Sequence, residues 1–245
     1  MDLREQRANP NRHPWELSRA DMVLRLLAQR EKRAGQTRYA DVGAGDLYVA
    51  RRLTALTQAP VYAVDVHYPE PAVENTVVVC TDLDQVPPRS IDCALLMDVL
   101  EHVDDDVGLV RDVHRILTSD GEVLITVPAH QALWSAHDDF LGHRRRYNRR
   151  RLRDVLRRGG LDIIECFHFY ALLGVARAAG VALARLGPGR PAHGVGRWPL
   201  PSTHVATRIL RATFNADFRV SRRLGATPLA ACGLSICAIC RQASA

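Results

Sequence analysis

The chain has 245 residues, of which 47% are hydrophobic and 24% charged, and this composition excludes a disordered or fibrous protein and favours one globular domain. No apolar run approaches the roughly 18 residues of a membrane span, and the first residues are polar, so we expect no membrane span, no signal peptide and a soluble, cytoplasmic protein. The net charge of +6 comes almost entirely from arginine, since Lys32 is the only lysine, and it favours anionic partners without distinguishing among them.

The predicted elements alternate between helices and short apolar strands. Residues 15–33 carry apolar side chains at helical spacing, with Ser18 as a candidate N-cap. A strand at 39–42 then leads into a glycine turn and a helix over 46–56. Further along the chain the pattern predicts strands at 61–66, 76–80, 91–97, 122–127, 161–169 and 229–240, and helices at 105–117 and 149–158.

Alternating strands and helices predict an α/β fold: a Rossmann-like, mostly parallel seven-stranded sheet with helices on both faces. The region between the last two strands predicts a helical insertion before the last strand. We therefore divide one domain into an N-terminal helical lid (1–35), a Rossmann-like core (36–170), a basic helical insertion or cap (171–228) and the final strand (229–245). Ligands in such sheets bind beyond the carboxyl ends of the strands.

The strongest motif is ADVGAGDLYVARRL at residues 40–53. Asp41 ends a strand, and Gly43 and Gly45 allow the backbone to approach a ligand closely because neither has a Cβ. A dinucleotide-binding turn would have a third glycine at Tyr48. A pyrophosphate would also meet the negative charges of Asp41 and Asp46, whereas a cationic cofactor would be attracted by them.

This segment resembles the first motif of class I S-adenosylmethionine-dependent methyltransferases, in which an acidic residue precedes G-x-G. The resemblance implies that Gly43 and Gly45 line the methionine part of S-adenosylmethionine, that Asp41 holds its amino group directly or through water, and that S-adenosylhomocysteine is the product. Leu47 departs from the pattern, because many members of the family have a third glycine there.

Three further strand ends carry the residues expected to complete the cofactor site: Asp65 with Val66, Asp82 with Leu83, and Met97 with Asp98. Asp65 lies about 20 residues past the glycine turn, where a carboxylate accepts from ribose hydroxyls. The resemblance implies that Asp82 accepts from the adenine amino group and that Met97 and Asp98 lie beside the methyl donor. Alternatively, Asp65 and Asp82 only cap turns. His102 is interpreted as a packing residue, and no metal site is expected from the spacing of histidines, cysteines and acids.

Residues 127–147, VPAHQALWSAHDDFLGHRRRY, form the predicted substrate wall. They resemble a bacterial methyltransferase subgroup with P-A-x-x-x-L-W-S-x-x-D and G-H-x-R-R-Y motifs. For a hydroxyl acceptor, we expect His137 or His143 to act as general base, with Tyr147 and Asp138 orienting or binding. The alternative is a structural loop, locked by Arg145 or Arg146 pairing with Asp138 or Asp139.

For two regions of the chain, the sequence supports two interpretations. Trp15 is either a lid over the cofactor or part of a surface helix packed on the sheet. The stretches 171–186 and 204–224 combine apolar residues with arginines, which favours a helical cap over a helix lying in a membrane surface. We expect the acceptor to be a small or lipid- or carrier-linked metabolite with anionic character, reached through peripheral membrane contact at most.

Two alternatives to this function remain open. The arginine runs would suit a nucleic-acid methyltransferase, but residues 97–100, MDVL, lack the motif of base-amino methylases. The departure at Leu47 keeps open a non-catalytic protein that binds S-adenosylmethionine.

Overall fold

The structure is a computed structural model that describes residues 11–30, 35–186, 198–225, 227 and 232–243. Its centre is one eight-stranded sheet in the order β3-β4-β2-β1-β5-β6-β8-β7. The strands are β1 (Tyr39–Val42), β2 (Val61–Val64), β3 (Ala72–Glu74), β4 (Val77–Cys80), β5 (Ile91–Met97), β6 (Leu117–Pro128), β7 (Leu161–Phe169) and β8 (Ser235–Gln242). Neighbouring strands in the series β4-β2-β1-β5-β6 pair in parallel, and β8 runs antiparallel to both β6 and β7. The predicted mostly parallel sheet is confirmed.

The eighth strand, β3, was not predicted. It forms an antiparallel hairpin with β4 at the edge of the sheet, and all its residues are exposed. Asn75, with φ of 55°, makes the tight connection between the two strands. An exposed strand of three residues leaves no alternating hydrophobic pattern, so the sequence could not reveal it.

The helices are α1 (Pro14–Arg30), α2 (Tyr48–Leu53), α3 (Asp106–Ile116), α4 (Ala136–Leu141), α5 (Arg149–Arg158), α6 (Ala171–Leu186) and α7 (Val205–Leu224). The helix α1 begins at Pro14, so the assignment of Ser18 as its N-cap was wrong. Proline suits the first helical position because its missing N–H would have no intrahelical partner. Ser18 lies inside the helix, is fully buried and donates to Oδ1 of Asn215 at 3.0 Å.

Helices cover both faces of the sheet, as expected. One face buries side chains of α3 and α5, such as Val110, Val113 and Leu156. The other buries side chains of α1, α2 and α7, such as Met22 and Phe214. The helices α6 and α7 form the predicted insertion between β7 and β8.

Parts of the prediction lie outside the described residues, namely residues 1–10 of the expected lid, the end of the first expected helix at 31–33, most of the loop expected at 187–201 and the expected start of the last strand at 229–231. Among the described residues, none of the helices combines the length and the apolar character needed to cross a bilayer.

Candidate functional site

The turn after β1 depends on left-handed backbone conformations. Gly43 and Gly45 have φ of 74° and 57°. A Cβ at Gly43 would lie 2.5 Å from Cγ2 of Val99, so no other residue fits without a shift. Leu47 also has a positive φ, 65°, at the position where a third glycine would be expected. Its side chain is buried in the core, which offsets the strain of this conformation for a leucine.

Asp41 is the penultimate residue of β1, beneath this turn, and is only 1% exposed. Neither of its carboxylate oxygens accepts a well-formed hydrogen bond. Burial raises the pKa of Asp41 to about 7, although the nearby positive charge of Arg19 opposes the shift. A buried carboxylate without a partner is costly for the protein alone, and such groups are found where a ligand completes them.

The cleft beside Asp41 is narrowed by arginines from the N-terminal segment. Its remaining cavity is about 20 Å³, roughly the space of one water. Arg12 pairs with Asp46, and its Cζ lies 3.8 Å from the ring centroid of Tyr48. Arg19 pairs with Asp98 at the end of β5. Two guanidinium groups therefore lie in a cleft whose walls are acidic, which is the electrostatic environment that a cationic ligand requires.

Asp65 lies against the same glycine turn. Its Oδ2 accepts from the Gly45 amide at 3.0 Å, and its Oδ1 accepts from the His67 amide at 2.9 Å. The strand ends that carry Asp41 and Asp65 are therefore neighbours, as the motif predicts. The carboxylate stabilises the turn, and its role toward a ribose remains a prediction.

Of the remaining predicted cofactor residues, Met97 and Asp98 lie at the end of β5 and Asp82 follows β4. Met97 is buried and lines the cleft, and Asp98, with φ of 54°, accepts from Oγ1 of Thr126 at 2.9 Å. Asp82 is exposed and caps a short 3-10 helix by accepting from the Asp84 amide at 2.7 Å, which was the alternative considered for it.

Three other predicted cofactor residues, Val66, Leu83 and Trp15, do not line the closed cleft. Val66 is 77% exposed, and Leu83 packs in the core. Trp15 packs against the core on the α1 face, and its ring centroid lies 4.9 Å from Cζ of Arg19. Contacts of Val66, Leu83 and Asp82 with a cofactor stay predictions, as does the role of Trp15 as a lid.

The loop that follows β6 is organised around Asp138. This carboxylate is fully buried and accepts from four donors: Ser135 N at 2.9 Å, His143 Nδ1 at 2.9 Å, Arg146 Nε at 2.7 Å and Arg177 Nη2 at 2.9 Å. Burial acts to raise the pKa of Asp138, but the hydrogen bond from His143 and the charge of Arg146 outweigh it and hold the pKa well below its usual value.

The predicted locked loop is thus formed by Arg146 with Asp138. Arg145 pairs instead with Asp106 at 2.9 Å. Asp139 accepts from Nε1 of Trp134 at 3.0 Å rather than from an arginine.

The position of Tyr147 favours the structural alternative, and its expected role in orienting or binding the acceptor stays a prediction. Its side chain is fully buried, and its hydroxyl lies 2.9 Å from Oδ2 of Asp106 and 3.1 Å from the carbonyl of Leu100. Burial and the hydrogen bond to Asp106 raise the pKa of Tyr147 well above its usual value. The tyrosine anchors the loop. His137 is partly buried on α4, where its amide is capped by Oγ of Ser135.

One group of residues was missed by the sequence analysis. Glu101, His102 and His143 place one potential ligand atom each within 4.8 Å of one another. Glu101 is fully buried, neither of its oxygens accepts a well-formed hydrogen bond, and burial raises its pKa to about 8. The two imidazole rings meet edge to face with centroids 4.8 Å apart. Only the folded chain brings His143 to the connection after β5, so no local spacing could have indicated this group.

Comparisons with known proteins agree with this geometry. The sequence model of a family described as a methyltransferase domain matches residues 11–166. A search of curated proteins found no match.

Three solved structures illustrate the similarity of fold. The [4+2]-cyclase SpnF has 18% identity and a TM-score of 0.58, covering 92% of this chain and 81% of its own. A putative sarcosine dimethylglycine methyltransferase from Galdieria sulphuraria has 13% identity and a TM-score of 0.57, covering 96% and 92%. Phosphoethanolamine N-methyltransferase 2 from Haemonchus contortus, in complex with S-adenosyl-L-methionine, has 16% identity and a TM-score of 0.54, covering 91% of this chain and 53% of its own. At such identities the likeness shows a shared fold.

Proposed function

Since this chain belongs to the methyltransferase domain family, and is a class I S-adenosylmethionine-dependent methyltransferase, we propose that its acceptor is an oxygen, nitrogen or carbon atom of a small or lipid- or carrier-linked metabolite. The observation that carries this acceptor class is an apolar face on α6. Leu172, Val175 and Leu183 are 58%, 62% and 70% exposed, and their spacing places them on one side of the helix. Exposed apolar surface of this kind marks a contact with a ligand or partner.

The apolar face on α6 is close to the predicted substrate wall. The helix follows β7, which runs parallel to β6, so α6 begins at the edge of the sheet that carries the glycine turn. Arg177 of α6 donates to the carbonyl of Leu133 at 3.3 Å and to Asp138 at 2.9 Å. These contacts fix α6 against the loop after β6. An acceptor with an apolar portion could therefore lie along α6 while its reactive group reaches the strand ends.

The residues of the cleft fit S-adenosylmethionine, whose role is to supply an electrophilic methyl group on a positively charged sulfur. Asp41 has two carboxylate oxygens without well-formed hydrogen bonds, which suits the amino group of the methionine part. Gly43 permits close backbone approach, and we expect Asp65 to accept from the ribose hydroxyls. Arg19 would pair with the methionine carboxylate once its contact with Asp98 is released.

Methyl transfer requires alignment of the nucleophile more than it requires acid or base catalysis. For a hydroxyl acceptor, His143 is the better oriented of the two candidate bases, because Asp138 holds its Nδ1. His137 remains the second candidate. A carbon or carboxylate acceptor would need neither.

Three of the nine arginines of residues 143–158 are engaged by carboxylates of the protein and give little support to a nucleic-acid substrate. Arg144, Arg145 and Arg146 pair with Asp104, Asp106 and Asp138 respectively. Guanidinium groups that are already paired with carboxylates contribute little to phosphate binding.

The test is a search for a labelled product. The purified protein is incubated with cell extract and S-adenosylmethionine bearing a deuterated methyl group, and the lipid and polar fractions are analysed separately by mass spectrometry. We expect label in a small or lipid-linked product, and loss of that label with Asp65→Ala. Label found only in nucleic acid would contradict the proposed acceptor. Binding of S-adenosylmethionine without any labelled product would favour the non-catalytic alternative.

A further inference from the structure

A buried carboxylate and two histidines meet beside the cofactor cleft, and we propose that Glu101, His102 and His143 bind a divalent first-row metal ion. Their ligand atoms lie within 4.8 Å of one another. Two imidazoles and one carboxylate form a donor set that suits zinc, manganese, iron or cobalt.

Glu101 provides the strongest reason to infer a bound cation. It is fully buried, and neither oxygen accepts a well-formed hydrogen bond. The two arginines that face it already have partners, since Arg19 pairs with Asp98 and Arg146 with Asp138. An acidic side chain in the interior is normally paired, protonated or bound to a metal. A metal ion would satisfy this one.

His143 is held in the manner of a metal ligand. Its Nδ1 lies 2.9 Å from Oδ1 of Asp138, and its side chain is 8% exposed. Because Asp138 also accepts from Arg146 and Arg177, it accepts the Nδ1 proton as a carboxylate. The Nε2 lone pair then remains for a metal, and with a metal bound His137 is the remaining candidate base. Histidine ligands usually donate their other ring N–H to a carboxylate in this way.

The backbone also brings the ligands together before any ion binds. The amide of Arg144 donates to the carbonyl of Glu101 at 2.8 Å, and Nε of Arg144 donates to the carbonyl of His102 at 2.8 Å. These bonds join the segment of His143 to the connection after β5. Tetrahedral ligands on bonds of about 2.1 Å lie about 3.4 Å apart, so binding requires only a modest inward rotation of the side chains.

Three protein ligands leave at least one coordination position open, as in catalytic rather than structural metal sites. Resting on the proposed function, we assign this position to an oxygen of the methyl acceptor, such as a hydroxyl, carboxylate or phosphate. The connection that carries Glu101 and His102 follows directly from Met97 and Asp98, at the donor end of β5. A bound ion would therefore lie close to where the acceptor must be placed.

Metal binding can be measured without cofactor or acceptor. The full-length protein is treated with a chelator and titrated with Co²⁺, whose visible absorption reports nitrogen and oxygen ligands, and Zn²⁺ affinity is measured by competition. We expect one ion per chain. We expect at least 100-fold weaker binding for Glu101→Gln and His143→Gln, and unchanged binding for the control His204→Asn. His204 caps α7, and asparagine preserves such a cap.

Folding of each variant is checked by circular dichroism and by urea unfolding. No Co²⁺ spectrum from the wild type, or equal affinity in a folded Glu101→Gln variant, overturns the metal site. A protein that binds metal but ignores S-adenosylmethionine contradicts the proposed function and leaves the site in place. If chelation leaves methyl transfer unchanged, the assigned contact between metal and acceptor is wrong.

Discussion

Replacing Asp41 by asparagine should stabilise the ligand-free protein at alkaline pH. The wild-type carboxylate is buried, lacks well-formed hydrogen bonds and has a pKa raised to about 7 by burial. Between its unfolded and folded pKa values, the folded state binds more protons than the unfolded state. The free energy of unfolding therefore falls as pH rises through this window and becomes constant above it.

The raised pKa sets the size of the effect. A difference of about three pKa units corresponds to about 4 kcal/mol at pH 8, and about 2–3 kcal/mol of this develops between pH 5 and pH 8. Asparagine does not ionise, so Asp41→Asn lacks this pH dependence. It still buries an amide without a partner, at a cost of about 1–3 kcal/mol that is the same at both pH values. Subtracting the two measurements cancels that cost.

Urea unfolding of the wild type and Asp41→Asn, followed by tryptophan fluorescence at pH 5 and pH 8, measures this difference. The advantage of the variant in free energy of unfolding should grow by about 2–3 kcal/mol from pH 5 to pH 8. Asp154→Asn serves as a control, since its side chain is 66% exposed. If Asp41→Asn follows the same pH profile as the wild type, Asp41 is not a buried, unpaired carboxylate and the argument fails.

Three further predictions concern other residues. Asp65→Ala should weaken S-adenosylmethionine binding by about 1–3 kcal/mol in calorimetry. Asp82→Ala should weaken it less if that residue only caps its turn, and equal losses in the two variants would show that Asp82 also contributes to binding. Tyr147→Phe should destabilise the fold by about 1–2 kcal/mol in urea unfolding and leave kcat within about twofold, while a large loss of kcat in a folded variant would restore a catalytic role. His168 is 4% exposed, and burial lowers its pKa to about 4. The stability that the neutral, buried imidazole contributes above pH 6.5 is therefore lost as pH falls toward 4. Relative to His168→Phe, the free energy of unfolding of the wild type should fall by about 2–3 kcal/mol between pH 7 and pH 4.5. An equal difference between the two proteins at both pH values would exclude this.

Most of the sheet could be predicted because each parallel strand leaves a short, continuous apolar run. The bounds of β1, β5 and β7 agree with those expected from the sequence. The glycine turn was equally readable, because the G-x-G spacing with Asp41 is local. Asp41 and Asp65 could be placed together since carboxyl ends of neighbouring parallel strands meet at one edge.

The rest of the site depends on tertiary contacts that leave no local pattern. Asp138 and Tyr147 looked like substrate-binding groups in the sequence, yet both are buried and hold the loop in place. Nothing in the sequence distinguishes Glu101, and only its burial together with the approach of His143 reveals a potential ligand set. Polar residues in one segment can face solvent or the interior, and periodicity cannot distinguish these orientations in an irregular loop.

The central claim is that acidic strand ends around the glycine turn hold the positively charged cofactor. Isothermal titration calorimetry of the folded wild type and Asp41→Asn with S-adenosylmethionine tests it most directly. We predict one binding site per chain and at least tenfold weaker affinity in the variant. A folded wild type that releases no heat, or a variant that binds as tightly as the wild type, would contradict it.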